Sequence, residues 1–125
     1  MTGQTAMRHE ALRRGKRGEW LCAWLLRLKG YRILGRNVRT PMGEIDILAR
    51  RGSVLAVVEV KSRVELMAAG ESVTPEKQRR LARAARYVLT RFPADTGLTV
   101  RFDAMLVAGP WRISHVMDAW RDEAG

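Results

Sequence analysis

The pattern of apolar and polar positions predicts a helix, three strands, a second helix and two more strands along this chain. The first helix is expected over about residues 8–29, where large apolar side chains recur at three- and four-residue spacing: Trp20, Leu21, Trp24, Leu25 and Leu28. Gly15 and Gly18 weaken its first half, so the firm part begins near Gly18, and Gly30 follows as a C-terminal cap. This spacing predicts that Trp20 and Trp24 belong to the core.

The remaining elements are separated by turn residues. Strands are predicted over Tyr31–Arg39, Glu44–Arg50, Val54–Arg63, Thr99–Val107 and Trp111–Val116. The second helix is expected to have Thr74 as its N-cap and Pro75 in its first turn, and to end near Arg91. Residues 1–7 are predicted to be a frayed tail and residues 64–74 a loop. This order predicts an α/β fold, with a mixed central β-sheet flanked by helices in a single domain over residues 1–125.

The composition indicates a folded domain with an affinity for polyanions. With 125 residues, of which 46% are hydrophobic and 29% charged, the chain can bury a core. Lys and Arg number 23 against 13 acids, and the formal charge of +10 favours nucleic acid as a partner ahead of an anionic membrane surface. A genome that favours arginine would produce the same balance, so the charge is supporting information only.

The cysteine usage and the apolar runs indicate a cytoplasmic protein. The single cysteine, Cys22, cannot form an internal disulfide, which fits a reducing compartment, and its apolar neighbours predict a small buried side chain. The first apolar stretch, Trp20–Leu28, is interrupted by Arg27 and is too short for a signal peptide or a membrane span. We therefore expect no membrane partner.

Two acids stand in predicted strands where an apolar side chain would be expected. They lie in Gly43–Ile47, which contains Glu44 and Asp46, and in Val57–Lys61, which contains Glu59. Residues two apart along a strand share a face, so Lys61 lies on the same face as Glu59. Because charged groups are rarely buried unless they are paired or bind a metal, this segment is a candidate catalytic site.

Whether these acids meet depends on the turn between their strands. A two-residue turn at Arg51-Gly52 would put Glu44 opposite Glu59, whereas a four-residue loop over residues 51–54 would put Asp46 opposite Glu59. In both registers Asp46 and Glu59 share a face, and a loop of odd length would separate them. The sequence leaves both even registers open.

Converging carboxylates repel each other unless a cation lies between them. With no Cys or His cluster nearby in the sequence, the expected cation is a hard one, Mg²⁺ or Mn²⁺. Lys61 could orient or help to deprotonate an attacking water and stabilise charge on a phosphate. The metal and the lysine together are sufficient for phosphodiester hydrolysis. An ordinary Glu–Lys ion pair on an exposed sheet face is an equal alternative.

The residues around these acids resemble the YraN family, a bacterial branch of the PD-(D/E)XK nuclease superfamily that is similar to archaeal Holliday-junction resolvases. The resemblance covers nearly the whole chain and rests on Gly43–Asp46 followed by Val58–Arg63. Further matching positions are Gly18, Glu19, Ala23, Gly30–Leu34, Asn37, Lys77 and Arg101–Asp103. Ile45 rather than proline precedes Asp46, at a position where the superfamily is permissive.

The resemblance implies a restriction-endonuclease-like core with Asp46 and Glu59 as metal ligands and Lys61 as the catalytic lysine. It also implies that Glu19, on the first helix, completes or supports the metal site. The apolar helical neighbours of Glu19 agree with an inward side chain, although an acid favoured by the helix dipole is the alternative. Glu44 and Arg63 match the family pattern in supporting positions.

The second helix combines an apolar stripe with a basic side. Lys77 extends the apolar stripe at the N-terminus, so Lys77 or Gln78 could contact a scissile phosphate. Arg79, Arg83 and Arg86 form a row that suits a nucleic-acid backbone, with solvated arginines as the alternative.

These features together predict a Mg²⁺- or Mn²⁺-dependent endonuclease that acts on DNA in preference to RNA. Branched or otherwise structured DNA is one candidate substrate, and the sequence does not choose among DNA structures. A homodimer, as in the resolvases, is left open. One alternative is a nucleic-acid-binding module with a nuclease fold and little or no turnover, and another is an interaction protein whose acids are structural. We assign no role to His9 or His115.

Overall fold

The computed structural model describes residues 18–62, 74–93, 97–109 and 112–121. A helix, α1, covers residues 18–28, and three strands follow: β1 (Arg32–Thr40), β2 (Gly43–Arg51) and β3 (Val54–Ser62). The chain continues with helix α2 (Pro75–Leu89) and strands β4 (Thr99–Val107) and β5 (Ile113–Trp120). The predicted tail, Arg63, Trp111, His9 and nearly all of the predicted loop over residues 64–74 lie outside the described residues.

All five strands form one mixed sheet in the order β1-β2-β3-β4-β5. The β1–β2, β2–β3 and β4–β5 pairs are antiparallel, whereas β3 and β4 are parallel. A parallel pair needs a crossover connection, and α2 lies within the connection from β3 to β4. The predicted α/β architecture is therefore confirmed, with β3 as the central strand.

A glycine ends α1 as the sequence predicts. Gly30 has a φ of 93° and its N–H donates to the carbonyl of Arg27 at 3.0 Å. The N–H of Tyr31 donates to the carbonyl of Leu26 at 2.9 Å, which completes a Schellman motif. The motif turns the chain from α1 directly into β1 and buries Tyr31. Neither described helix is long and apolar enough to cross a membrane.

The start of α2 is also set by its predicted cap. The Thr74 side chain accepts a hydrogen bond from the backbone N–H of Lys77 at 3.2 Å, and Pro75 occupies the first turn. This cap places Lys77 in the first turn of α2.

The core has two layers, one on each face of the sheet. On one face the sheet packs against the apolar stripe of α2: Leu81, Ala82, Ala84, Ala85 and Val88. On the other face it packs against Cys22, Ala23 and Leu26 of α1. Cys22 is fully buried, as predicted, and burial raises the pKa of its thiol to about 12.

The prediction that Trp20 and Trp24 belong to the core was wrong. Their side chains are 51% and 46% exposed, whereas Cys22, Ala23 and Leu26 are the α1 residues that contact the sheet. Cys22 and Ala23 have small side chains, which allow the helix to approach the sheet closely. The larger tryptophans therefore lie on the side of α1 that faces away from the sheet.

A buried charge network joins α1, β4 and β5. Asp103 is completely buried and accepts two hydrogen bonds of 2.8 Å from Arg101, one of 2.8 Å from His115 and one of 3.0 Å from the N–H of Asp118. Lys29 lies 2.6 Å from the other ring nitrogen of His115, and because an ammonium only donates, His115 donates to Asp103 through Nε2. Burial of Asp103 opposes its ionisation, but these donors outweigh burial and lower its pKa to about 2.

Candidate active site

Strands β2 and β3 separate at the two acids. Their pairing ends at Ile47 and Val58, although β2 begins at Gly43 and β3 continues to Ser62. Beyond this point β2 pairs with β1 alone and β3 pairs with β4 alone. Asp46 and Glu59 are the first residues after the separation, and we call these two residues the acidic fork.

The hairpin adopts the register that puts Asp46 level with Glu59. Pairing continues down to Arg51 and Val54, so the loop contains two residues, Gly52 and Ser53. Gly52 has a φ of 59°, a left-handed conformation that suits a tight hairpin turn. The alternative register, with Glu44 opposite Glu59, does not form.

The Asp46 carboxylate takes the place of a backbone hydrogen bond between the separating strands. Its Oδ2 accepts from the N–H of Val60 at 2.9 Å. Burial, and then repulsion from Glu59, raise the pKa of Asp46 to about 7, although the Val60 N–H and Lys77 act in the opposite direction. Without a metal, Asp46 is therefore protonated more readily than an ordinary aspartate.

Glu59 has one partnered and one unpartnered oxygen. Its side chain is 2% exposed, and Oε1 forms an ion pair with Lys77 and lies 3.7 Å from Nζ of Lys61. Burial disfavours the charged form of Lys77, but the contact with Glu59 outweighs it and raises the pKa of Lys77. Oε2 of Glu59 is buried and has no hydrogen-bond donor among the described residues while Asp46 is ionised, whereas a protonated Asp46 can donate a hydrogen bond to Glu59. A buried carboxylate oxygen without a partner destabilises the folded protein unless a ligand binds to it.

Glu19 approaches the acidic fork from the opposite helix. A Cβ on Gly18 would lie 3.5 Å from Val107 and 3.9 Å from Val60, so α1 begins beside the ends of β4 and β3. Burial raises the pKa of Glu19, a hydrogen bond with Asn37 lowers it, and the Asp46 charge raises it further. Glu19 is therefore half-buried, with its carboxylate close enough to Asp46 for their charges to interact.

Asn37 is a site residue that the sequence reasoning did not assign. It lies level with Asp46 across the β1–β2 pair and has a φ of 52°, which is uncommon for a residue other than glycine. This backbone bend allows its side chain to bond Glu19. The available signal was the resemblance itself, which includes Asn37 as a matching position.

A cleft of about 200 Å³ opens above the acidic fork. It is lined by Gly43, Glu44, Asp46, Glu59, Lys77, Arg80 and Leu81. Arg80 is a second residue that the sequence reasoning did not assign to the site, although its position one helical turn after Lys77 was a usable signal. Gly43 has a φ of 150°, and a Cβ there would lie 3.0 Å from Cδ of Arg80. Glycine at this position therefore leaves room for the Arg80 side chain.

The other predicted residues lie around this cleft or apart from it. Glu44 lines the cleft, whereas Gln78 is half-buried on α2 and is not part of the lining. Arg79, Arg83 and Arg86 are exposed on α2, as predicted. Arg86 borders a larger cavity of about 600 Å³ between α2 and strands β4 and β5. That cavity contains none of the predicted catalytic residues, so the smaller cleft is the candidate active site.

The acidic fork offers two carboxylates to a metal ion rather than three. Among the described residues no group of three or more His, Cys, Asp or Glu side chains converges as a ready-made metal site. Glu19 is hydrogen-bonded to Asn37 and, although its charge interacts with that of Asp46, it does not form a three-ligand group with Asp46 and Glu59. Mg²⁺ is commonly held by one or two carboxylates together with waters and substrate phosphate, so the half-buried Asp46 and the Oε2 of buried Glu59 fit such an ion.

Comparison with known proteins finds a family model that spans the site region and relatives that are similar over most of this chain. The model of a family described as "Uncharacterised protein family UPF0102" matches residues 18–107, which include every element from α1 to β4. The UPF0102 protein of Parvibaculum lavamentivorans is 50% identical over 119 residues, covering 95% of this chain and 90% of the relative. A UPF0102 protein of Mesorhizobium japonicum is 53% identical over 109 residues, covering 86% of each chain. One from Paramagnetospirillum magneticum is 50% identical over 116 residues, covering 89% of each.

Proposed function

The chain belongs to the UPF0102 family, and from the geometry of its acidic fork we propose that it is a metal-dependent endonuclease that hydrolyses phosphodiester bonds in DNA. The observation that carries the proposal is the pairing of half-buried Asp46 with buried Glu59, which has an unpartnered oxygen and two lysines beside it. Residues Gly43–Asp46 and Val58–Ser62 of this chain resemble the YraN branch of the PD-(D/E)XK superfamily. We therefore propose that its sheet belongs to the restriction-endonuclease-like fold of that superfamily.

Asp46 and Glu59 are the residues that would hold Mg²⁺ or Mn²⁺. A bound ion of this kind lowers the pKa of a coordinated water and stabilises negative charge on the phosphate. The backbone N–H of Val60 orients the Asp46 carboxylate by a 2.9 Å hydrogen bond, and burial excludes bulk water from Glu59. Glu19, which Asn37 orients, supports the same end of the site from α1.

The cations around the cleft bind and orient the phosphate. Lys61 is 18% exposed and lies on the face of β3 that carries Glu59, so it can reach both a phosphate oxygen and an attacking water. Lys77 neutralises Glu59, and Arg80 lines the cleft beside it. A phosphate that enters the cleft therefore meets Lys77 and Arg80, with Nζ of Lys61 3.7 Å from the Glu59 carboxylate.

A binding module with little or no turnover is the second candidate. The observation that favours it is the ion pair between Lys77 and Glu59, because a lysine in this place can satisfy the carboxylate without a metal. In this case the two acids and two lysines stabilise the fold, and the basic surface binds nucleic acid without cleaving it.

A cleavage panel distinguishes these two functions. Purified protein is incubated with duplex, single-stranded, flap and four-way DNA and with the matching RNAs, in Mg²⁺, Mn²⁺ or EDTA. We expect metal-dependent cleavage that Asp46→Ala and Lys61→Met each reduce at least about a hundredfold, because each removes a group at the reacting phosphate.

Asp118→Asn is the matched control, since it removes an exposed acid whose only described ion pair is with Arg121. It is expected to cleave like the unmodified protein. Binding without cleavage on every substrate and with both metals would support the binding module. Cleavage that persists in Asp46→Ala would indicate a contaminating nuclease and contradict the proposal.

A further inference from the structure

Helix α1 exposes an apolar and aromatic strip that the catalytic proposal does not use. Trp20 is 51% exposed, Trp24 46% and Leu28 79%, and these residues follow one another at four-residue intervals along one side of the helix. We call these three residues the tryptophan strip. Apolar side chains of this size in a row are unusual on a surface unless they contact a partner.

The tryptophans are arranged as an aromatic platform with a cation. The rings of Trp20 and Trp24 meet edge to face, with 6.0 Å between centroids and 73° between planes. The guanidinium of Arg27 lies 5.7 Å from the centroid of the Trp24 ring. Aromatic faces next to an arginine suit unpaired nucleotides, because each base has a π-face that can stack on a ring and each nucleotide has a phosphate that attracts the guanidinium.

The platform starts at the catalytic end of the molecule. Trp20 directly follows Glu19, and Glu19 is close enough to Asp46 for their charges to interact. From this end, the strip follows α1, while the exposed arginines of α2 lie on the other side of the sheet. A nucleic acid that crosses the acidic fork therefore has an aromatic surface on one side and a cationic surface on the other.

We propose that the tryptophan strip stacks unpaired bases, so that the preferred substrate contains a single-stranded segment next to the cleaved phosphate. The inference rests on the proposed function, because it names the substrate class of the same site. A second copy of this chain is the rival occupant. The overall charge of +10 and the Arg27 contact on the strip favour a polyanion over a like-charged copy.

The test is a binding measurement in EDTA, which excludes turnover. Fluorescence anisotropy with labelled oligothymidylate, oligouridylate and a blunt duplex of equal length compares the unmodified protein with Trp20→Leu and Trp24→Leu. Leucine keeps the surface apolar but removes the flat ring. We expect each substitution to weaken single-strand binding by roughly fivefold to a hundredfold and duplex binding by less than about twofold.

The control is Met117→Ala, which removes an exposed apolar side chain of β5 outside the tryptophan strip. It is expected to bind all three oligonucleotides normally. Comparing oligothymidylate with oligouridylate distinguishes DNA from RNA. The tryptophan substitutions should weaken binding of both, and the oligonucleotide that the unmodified protein binds more tightly identifies the preferred nucleic acid. Circular dichroism verifies that each variant is folded, as expected for exposed positions.

Three outcomes would overturn the inference. Unchanged single-strand binding, or an equal loss for duplex and single strand, would mean that the rings do not stack on bases. Sedimentation that shows a dimer in the unmodified protein and a monomer in the variants would assign the strip to self-association. Cleavage that depends on Asp46 would still support the proposed function in each case, whereas stacking without any cleavage would count against that function alone.

Discussion

At the residue scale, the fold places Asp103 and Asp46 in opposite electrostatic environments. Asp103 has a guanidinium, an imidazole and a backbone N–H around it, and its pKa falls to about 2. Asp46 has one backbone donor and a neighbouring carboxylate, and burial followed by the Glu59 charge raises its pKa to about 7. The first arrangement stabilises the folded protein, whereas the second stores repulsion that a cation can relieve.

Asp46→Asn is expected to stabilise the metal-free protein at pH 8. The raised pKa means that folded protein keeps a proton that the unfolded chain loses above its value of 3.8, so stability falls as the pH rises towards about 7. The slope is about 1.4 kcal/mol per pH unit for one proton. Asp46→Asn has no such carboxyl group, so its free energy of unfolding should not fall in this way. Relative to the unmodified protein, its free energy of unfolding should rise by on the order of 2 to 4 kcal/mol between pH 5 and pH 8.

Urea unfolding in EDTA at both pH values measures this difference in the free energy of unfolding. Asp118→Asn serves as a control, because its side chain is 43% exposed and its loss should change stability little at either pH. A variant that is equally stable or less stable than the unmodified protein at pH 8 would contradict the stored repulsion.

At the element scale, the separation of β2 from β3 is what creates the site. Strand β3 remains paired with β4 through Ser62, so its end is held in place while β2 departs with β1. The Asp46 side chain then accepts a hydrogen bond from the backbone N–H of Val60 across the opening, in place of a hydrogen bond between the backbones of the two strands. Asp103 connects the elements at the β5 edge of the sheet. It lies on β4 and bonds His115 of β5, and His115 in turn contacts Lys29 at the end of α1.

Asp103→Asn is expected to lower the free energy of unfolding at pH 7 by about 3 to 5 kcal/mol, because Arg101 then becomes a half-buried charge without its ionised partner. The pKa of Asp103 is lowered, so its contribution is present above the unfolded value of 3.8 and is lost as the pH falls towards about 2. Unfolding experiments at pH 7 and pH 3 should therefore show a smaller difference at pH 3. An effect no larger than that of Asp118→Asn would show that the network is not stabilising.

At the scale of the whole molecule, charge and shape together favour a nucleic acid. The formal charge is +10, and the basic side of α2 presents Arg79 and Arg83 to solvent beside the cleft-lining Arg80. An exposed row of this kind contributes mainly through the release of counterions from the phosphate backbone. It sets affinity and orientation, while the acidic fork sets the chemistry.

Arg83→Ala is expected to make duplex binding less sensitive to salt. For each phosphate that the protein no longer neutralises, the slope of log K against log salt concentration should become shallower by about 0.9. Arg91→Ala removes the same charge beyond the end of α2, where the side chain is held by Tyr87, and should leave the slope unchanged. Equal slopes for the two variants would show that the net charge alone governs binding.

The sequence by itself determined the elements and the chemical character of the site. Gly30, Thr74 and Pro75 end or begin the helices through local backbone and cap preferences, which act within a few residues and are therefore readable from the chain. The alternation in β2 and β3 put Asp46, Glu59 and Lys61 on one face, and the described structure has them there.

The tertiary structure alone decided the register, the separation of the strands and the surface of α1. Two even registers were equally consistent with the hairpin sequence, and the pairing of Arg51 with Val54 selected the one that brings Asp46 level with Glu59. The helical spacing of the tryptophans predicted a buried stripe, but the close packing of Cys22 and Ala23 on the sheet turned Trp20 and Trp24 outward. Both outcomes depend on contacts between residues far apart in the chain, which local preferences do not specify.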